Sequence, residues 1–170
     1  MKKVLLLAVM AIFFVCVNSF SQVDSICGVL PSKNGIVTFD NVVKIDSLSS
    51  NKLYNYAKLW ISQNFVSSKA VIDSDIENSM ISISAILGNN SVENYSFKMN
   101  IQFKDNRFKY TITDIILHLK FTGLQPIDKH IEELPAIIEC KKSSLIEIKM
   151  KFDNLVKGLI TSMNKKNDNW

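Results

Sequence analysis

Residues 94–121 constrain the fold most, because they have the pattern of one long antiparallel β-hairpin. Before the turn, apolar and polar residues alternate with the period of a half-buried strand, and the apolar set is Tyr95, Phe97, Met99, Ile101 and Phe103. Asp105 and Asn106, residue types that tolerate positive φ, predict the turn. The resulting register sets apolar residues opposite each other, in the pairs Phe103–Phe108, Ile101–Tyr110 and Met99–Ile112.

The alternation in the second strand of this hairpin changes phase at Thr113 and Asp114. Beyond that point the apolar set becomes Ile115, Leu117, Leu119 and Phe121. A one-residue slip turns side chains to the opposite face of a sheet, and one extra residue corrects it. The sequence therefore predicts a β-bulge near Asp114 that returns Ile115 opposite Phe97 and Leu117 opposite Tyr95.

The first 21 residues have the pattern of a cleaved export signal. Lys2 and Lys3 precede fourteen apolar residues, 4–17, and small residues follow at Ser19 and Ser21. Fourteen residues are too few to span a bilayer, so we expect no integral membrane span. Lipidation of Cys16 is the alternative, but Val15 stands where a small residue would be expected. We predict cleavage after Ser21 and a periplasmic or extracellular location.

The remaining residues, about 150 in number, suffice for one domain. Without Lys2 and Lys3 the formal charge falls from +4 to +2, and basic residues are scattered among acidic ones. This is not the charge pattern of a nucleic-acid-binding protein. We expect a monomer, with an irregular segment at 22–34, the domain at 35–166 and a frayed tail at 167–170.

Two cysteines, Cys27 and Cys140, follow the export signal. A disulfide bond between them can form in an exported chain, and it would close a loop of over a hundred residues. Two buried thiols are the alternative, and we favour it.

Helices are predicted on either side of the strands. Turn and cap residues at 46–50 precede a helix with one buried stripe, formed by Leu53, Tyr56, Ala57, Trp60, Ile61 and Phe65. A capping-box pattern at Ser144 and Glu147 begins the last helix, whose stripe is Leu145, Ile148, Phe152, Leu155, Val156, Leu159, Ile160 and Met163. Gly158 inside this helix suggests close contact with a neighbour.

The other strands are predicted at 36–45, with Thr38 facing outward, and at 69–74 and 80–87 with a turn at Glu77 and Asn78. Residues 123–140 read as a connector with a short turn of helix at 127–134. The order strand, helix, four strands, helix (β-α-β-β-β-β-α) predicts an α+β fold in which two helices cover one face of an antiparallel sheet.

The helix motif at Leu53, Tyr54, Ala57 and Trp60 and the hairpin at 103–114 resemble a bacterial secreted family of unknown function with a TBP-like fold. The resemblance covers residues 35–120. It implies topology related to TATA-binding protein and to helix-grip proteins, in which a sheet curves around a long C-terminal helix. It implies no activity and supplies no catalytic residue.

Chemical motifs are absent from the sequence: there is no P-loop, dinucleotide fingerprint, nucleophile elbow or zinc-protease pattern. His118, between Leu117 and Leu119, is expected to face outward or to be hydrogen-bonded rather than to act as a general base. His130 stands near Asp128, Glu132 and Glu133, where a solvated charged loop is favoured over a weak metal site. We therefore expect no cofactor.

The remaining candidate is an apolar surface between the sheet and the last helix, which is either a solid core face or a pocket. Its residues are Trp60, Phe97, Met99, Ile101, Phe103, Phe108, Tyr110 and Phe152. We predict a non-enzymatic envelope protein that binds a partner protein or a small apolar ligand. The alternatives are a hydrolase with an unrecognised site and, by fold analogy only, nucleic-acid binding, which export and low charge oppose.

Overall fold

The computed structural model describes residues 24–65, 70–88, 93–120, 123–134 and 141–164, which contain nine strands and two α-helices. The strands are β1 (Ser25–Ile26), β2 (Leu30–Lys33), β3 (Ile36–Val37), β4 (Phe39–Lys44), β5 (Ala70–Ile76), β6 (Met80–Leu87), β7 (Glu93–Lys104), β8 (Arg107–Leu119) and β9 (Ile127–His130). The helices are α1 (Ser50–Asn64) and α2 (Lys142–Asn164), and a 3₁₀ turn covers Ile131–Glu133.

The main sheet is antiparallel, in the order β5, β6, β7, β8 and β4, with β9 also on β8. Strand β4 pairs with residues 107–112 of β8 and β9 with residues 116–119, so the two share one edge position. Both helices pack on the same face of this sheet, which we call the inner face, and the opposite one the outer face. The predicted α+β fold is confirmed.

The long hairpin has the predicted register. Lys104 lies opposite Arg107, and Phe103 lies opposite Phe108. Of the two turn residues, only Asn106 has positive φ, at 60°. The turn also docks on the connection between β4 and α1, since Asn106 N donates to Leu48 O at 2.8 Å and Ile45 N donates to Asn106 O at 2.9 Å.

The bulge predicted near Asp114 is confirmed. The β7/β8 register shifts by one residue between Ser96 and Lys98, and Asp114 has φ of 55°. Beyond the bulge Leu117 lies opposite Tyr95, as expected, and Ile115 is fully buried. The extra residue therefore keeps both halves of β8 facing the same core.

The N-terminal segment departs from the prediction. Residues 25–37, expected to be largely irregular, form a small antiparallel sheet in the order β1, β2, β3. Positive φ at Cys27, Gly28, Asn34 and Gly35 allows its two tight turns. The predicted strand at 36–45 breaks at Thr38, which is buried rather than outward-facing because its N–H pairs with Pro31 O.

Two further expectations near the C-terminus are wrong. Residues 127–130 form β9, with helical geometry only in the following 3₁₀ turn, because the backbone pairs with β8. The last helix begins at Lys142 rather than at Ser144, since the N–H groups of Ser144 and Leu145 both donate to Lys141 O. Ser144 therefore lies inside the helix and is not its N-cap.

Helix α1 begins with two side-chain acceptors. The Ser49 hydroxyl accepts from Lys52 N at 3.4 Å, and Asp105 Oδ1, from the hairpin turn, accepts from Ser50 N at 2.8 Å. The predicted stripe is buried except that Tyr54 takes the place of Tyr56, which is only partly buried. A hairpin residue thus fixes where this helix starts.

Cys27 is disulfide-bonded, so the favoured interpretation of buried free thiols is wrong for this residue. Cys16 and Cys140 lie outside the described residues, as do the predicted export signal and the tail at 167–170. Within the described ranges, no helix is long and apolar enough to cross a membrane.

Candidate functional site

The eight residues of the predicted apolar surface all lie in the core of the protein. None is more than 9% exposed, and Met99, Ile101 and Phe152 are fully buried. Alternation places the strand residues on the inner face, and α1 and α2 contribute Trp60 and Phe152. The structure therefore brings all eight together as a core face.

Phe152 is at the centre of an aromatic cluster between α2 and the sheet. Its ring stacks on Phe39 at a centroid distance of 5.3 Å. It also meets Phe97 edge-on at 5.5 Å and Tyr95 at 6.1 Å. Aromatic pairs at these separations are in contact, so this part of the interface is filled by side chains.

Trp60 packs against α2 at Gly158. A methyl group added at Gly158 would lie 3.5 Å from Trp60 Nε1, so the predicted close contact at this glycine is confirmed. The Trp60 indole N–H is buried and has no hydrogen-bond partner among the described residues. The two helices thus meet through a small residue facing a large one.

The outer face carries a row of basic residues at the hairpin end. Lys44 lies opposite Arg107, which lies opposite Lys104, so three cations stand side by side on three adjacent strands. Lys109 follows two residues after Arg107 on the same face of β8. It lies between Val42 on β4 and Gln102 on β7. No ion pair with these four cations is found among the described residues.

A cavity opens beside these residues. It has a volume of about 210 Å³ and is lined by Val42, Gln102, Lys104, Arg107, Phe108 and Lys109. Three of its six lining residues are cationic, and the exposed Val42 adds an apolar wall. A second cavity, of about 370 Å³, lies where the β4–α1 connection meets the end of α2 and includes Tyr56 and Met163.

A serine, a histidine and an aspartate form a hydrogen-bonded chain at the other end of the outer face. His118 Nδ1 lies 2.7 Å from Asp128 Oδ1, and His118 Nε2 lies 2.7 Å from Ser96 Oγ. Pairing of β9 with β8 sets Asp128 directly opposite His118, and Ser96 is one diagonal away on β7. The expectation that His118 is hydrogen-bonded is confirmed.

The bulge adds two more ionisable neighbours to this end of the sheet. Lys98 Nζ binds Asp114 Oδ2 at 2.8 Å, and His130 Nδ1 lies 3.8 Å from Asp114 Oδ1. Glu132 is close to His130 in the sequence, but its carboxylate accepts a hydrogen bond from Val37 N at 2.7 Å. No group of three or more His, Cys, Asp or Glu side chains in the described ranges is arranged to hold a metal ion.

A partly buried ion pair joins α2 to the start of β7. Lys151 Nζ donates to Glu93 Oε1 at 2.6 Å, and the Tyr95 hydroxyl donates to the same oxygen. Burial works against ionisation of Glu93, but these two hydrogen bonds outweigh it and lower the pKa of the carboxyl. The pKa of Tyr95 is raised, mainly by burial of the hydroxyl and secondly by its hydrogen bond to Glu93.

A second polar cluster joins α1 to the edge strand β5. The Tyr54 hydroxyl donates to Asp75 Oδ1 at 2.7 Å, and Lys58 Nζ donates to Asp75 Oδ2 at 3.0 Å. The bond from Tyr54 and then that from Lys58 lower the pKa of Asp75. Both clusters connect elements, and each satisfies its own charges.

Sequence reasoning missed Ser96 and Asp128 as neighbours of His118. Ser96 is one of several polar residues that alternate along β7, and nothing in the sequence distinguishes it. Asp128 was expected in a connector, whereas its contact with His118 depends on the pairing of β9 with β8. Had the sequence shown that residues 127–130 form a strand paired with β8, Asp128 could have been placed beside His118.

The antiparallel sheet with two helices on one face places the chain among proteins with a TBP-like fold. Residues 39–117 match the family described as "Domain of unknown function (DUF4468) with TBP-like fold". No curated protein matches the chain.

Two crystal structures are similar in fold. A TBP-like protein from Parabacteroides distasonis superposes with a TM-score of 0.66 at 20% identity, covering 82% of this chain and 99% of that one. A DUF4468 family protein from Bacteroides ovatus superposes with a TM-score of 0.57 at 9% identity, covering 83% of this chain and 94% of that one. At these identities the likeness concerns the fold alone.

Proposed function

We propose that the protein is an exported binding module that holds an acidic segment of another envelope protein on the outer face of its sheet. The observation that carries this proposal is the row formed by Lys44, Arg107 and Lys104. Adjacent strands are about 4.8 Å apart, and like charges set directly opposite each other are unfavourable. An anionic partner removes this repulsion.

The lining of the adjacent cavity supports a carboxylate-bearing partner. Arg107 presents a planar fork of donors that matches a carboxylate. Lys104, opposite it on β7, and Lys109, two residues along β8, add positive charge to the same cavity. Elsewhere on the protein, Lys33, Lys58, Lys98, Lys129, Lys149 and Lys151 are ion-paired within the chain.

The filled inner face supports a partner protein over a small apolar ligand. The eight residues of the predicted apolar surface pack against one another and the helices, and of these only Phe108 borders either of the two cavities. An interaction module of this kind requires surface complementarity rather than an internal cavity.

A peptide-binding experiment tests the proposal. Binding of a labelled oligoglutamate peptide, followed by fluorescence anisotropy, should weaken as salt rises from low concentration to ~0.15 M. The double variant Lys104→Glu, Arg107→Glu should weaken binding by about tenfold or more. The double variant Lys52→Glu, Lys157→Glu, at exposed positions of the two helices, changes the net charge by the same amount and should leave binding unchanged.

Three outcomes contradict the proposal. In the first, the peptide does not bind. In the second, both variants weaken binding equally, which means that net charge alone determines the affinity. In the third, vesicles containing anionic lipid bind through Lys104 and Arg107 while the peptide does not, which replaces the partner protein by a membrane surface.

A further inference from the structure

The hydrogen bonds of the Ser96, His118 and Asp128 chain select the tautomer of the neutral imidazole. A carboxylate can only accept, so His118 Nδ1 carries the proton that is donated to Asp128 Oδ1 at 2.7 Å. In the neutral ring Nε2 then has a free lone pair, which accepts the Ser96 hydroxyl proton at 2.7 Å. This is the tautomer in which a histidine removes a proton from a serine.

We infer that Ser96 is an activated nucleophile for acyl transfer, with His118 as its general base and Asp128 as the residue that orients the histidine. The three roles follow from geometry: a nucleophile within reach of a base, and a base held by a third group. The inference adds a chemical activity to the proposed binding module and is independent of the basic row.

The neighbours of Ser96 indicate the substrate class. Ile86 and Ile116 lie directly opposite Ser96 on the two adjacent strands, so the hydroxyl stands between two apolar side chains on the outer face. Ile86 is 38% exposed, which leaves apolar surface for an acyl group. A carboxylic ester with a short apolar acyl chain fits this position.

Lys98 is the nearest basic residue to Ser96 along β7, on the far side from His118. It lies two residues along β7 on the same face, whereas His118 is opposite Asn94 in the other direction. A cation beside the attacked carbonyl stabilises the negative charge that develops on its oxygen. Lys98 is ion-paired with Asp114 at 2.8 Å, so it takes this role only when its ammonium group leaves that carboxylate for the substrate oxygen.

The reaction follows directly from these positions. Ser96 Oγ forms a bond to the ester carbonyl carbon while its proton passes to His118 Nε2. The tetrahedral intermediate collapses, the carbon–oxygen bond to the alcohol breaks, and the alcohol leaves with that proton. Water then attacks the acyl-serine, transferring a proton through Nε2, and the carboxylic acid departs as Ser96 is restored.

The test combines a covalent probe with ester hydrolysis. A fluorophosphonate should add once per chain, and peptide mass spectrometry should locate it on Ser96. Hydrolysis of 4-nitrophenyl butyrate should fall to background in Ser96→Ala and by about 100-fold in Asp128→Asn, which loses the carboxylate that orients His118.

Ser84→Ala is the matched control. Ser84 lies on the same face of the sheet, but its hydroxyl donates to Asp73 Oδ2 at 2.6 Å instead of to an imidazole. This variant should label and hydrolyse like the parent protein. Thermal unfolding of every variant shows whether loss of activity is accompanied by loss of the fold.

The inference is overturned if the probe does not label Ser96, or if folded Ser96→Ala hydrolyses the ester like the parent. It is also overturned if folded Asp128→Asn keeps the full rate, because the hydrogen-bonded chain then only pins β9 to the sheet.

Discussion

Asp105 shows how single side chains in this protein serve elements distant in sequence. It belongs to the hairpin turn, yet its carboxylate accepts the N–H of Ser50 at the start of α1, 55 positions earlier in the chain. The first N–H groups of a helix have no partner inside the helix, so an outside acceptor stabilises its start. The turn and the helix therefore depend on each other.

Replacing Asp105 with Ala should lower the free energy of unfolding by about 1 kcal/mol, because Ser50 N loses its acceptor. Urea unfolding measures this change. Asp46→Ala removes an exposed carboxylate in the same region and should change stability by less than about 0.5 kcal/mol. Equal losses in both variants would mean that the Asp105 bond contributes nothing specific.

Phe152→Ala tests whether the interface between sheet and helix is filled. The ring is fully buried and stacks on Phe39, so its removal should cost roughly 3–5 kcal/mol by calorimetry or urea unfolding. Met150→Ala, at a position 57% exposed on the same helix, should cost less than about 0.5 kcal/mol. A small loss at Phe152 would indicate existing ligand space and return the apolar-ligand hypothesis.

The pair of Glu93 and Lys151 should make stability depend on pH. The pKa of Glu93 is lowered from its ordinary value of 4.5, so the folded protein binds this proton less readily than the unfolded chain. The resulting stabilisation is complete above about pH 4.5 and disappears as pH falls through the lower folded pKa.

Lys151→Met removes the ammonium group and should raise the pKa of Glu93, as measured by NMR titration. The stability difference between the parent protein and this variant should therefore narrow as the solution is acidified below pH 4.5. Lys149→Met, which breaks an exposed pair with Asp153, is the control and should leave the Glu93 titration unchanged. An unchanged Glu93 titration in Lys151→Met would contradict the assignment.

The bulge matters at the scale of the element, because β8 depends on one extra residue to face the core along its whole length. On the two sides of Asp114, Ile112 and Ile115 are both fully buried. Unbroken alternation would bury one and expose the other. The positive φ of Asp114 supplies the correction.

Deleting Asp114 should therefore destabilise the protein by several kcal/mol. The deletion turns Ile115 and Leu117 toward solvent, and each large side chain contributes ~1.5–3 kcal/mol on burial. Asp114→Gly keeps the residue count and suits positive φ, so it should unfold at nearly the parental temperature. An unchanged melting temperature after the deletion would place the register correction elsewhere.

Sequence reasoning succeeded where a local pattern decides the structure and failed where partners are distant. Alternation identified the β7/β8 hairpin and its bulge, and three-and-four spacing identified the buried stripes of both helices. It could not show that Asp105 caps α1 or that Thr38 is buried against β2, because those contacts depend on tertiary packing. For the same reason it left His118 without its partners Ser96 and Asp128.

At the scale of the whole molecule, the two faces of the sheet differ in chemical character. The inner face is closed by α1 and α2 around the aromatic cluster at Phe152. The outer face presents the basic row at one end and the Ser96, His118 and Asp128 chain at the other. Both proposals concern this second face, whereas the inner face forms the core of the protein.

Export is the prediction that concerns the chain as a whole. Mass spectrometry of protein recovered from its native host should find Gln22 as the first residue, because the small residues Ser19 and Ser21 mark the cleavage site. A protein that begins at Met1, or one that carries lipid on Cys16, would contradict the prediction. Ser21→Leu, which removes the small residue before the cut, should leave the precursor unprocessed.

The edge strand β5 has a consequence for aggregation. An exposed edge offers unpaired backbone groups to another chain, and Ile72 and Ile76 are about half exposed there, at 47% and 53%. The register of β5 on β6 slips between Ile72 and Ser74, leaving Asp73 out of step, and Asp75 follows two residues later. A second copy adding itself as a new strand would meet this irregularity in the backbone, so the edge resists the growth of an intermolecular sheet.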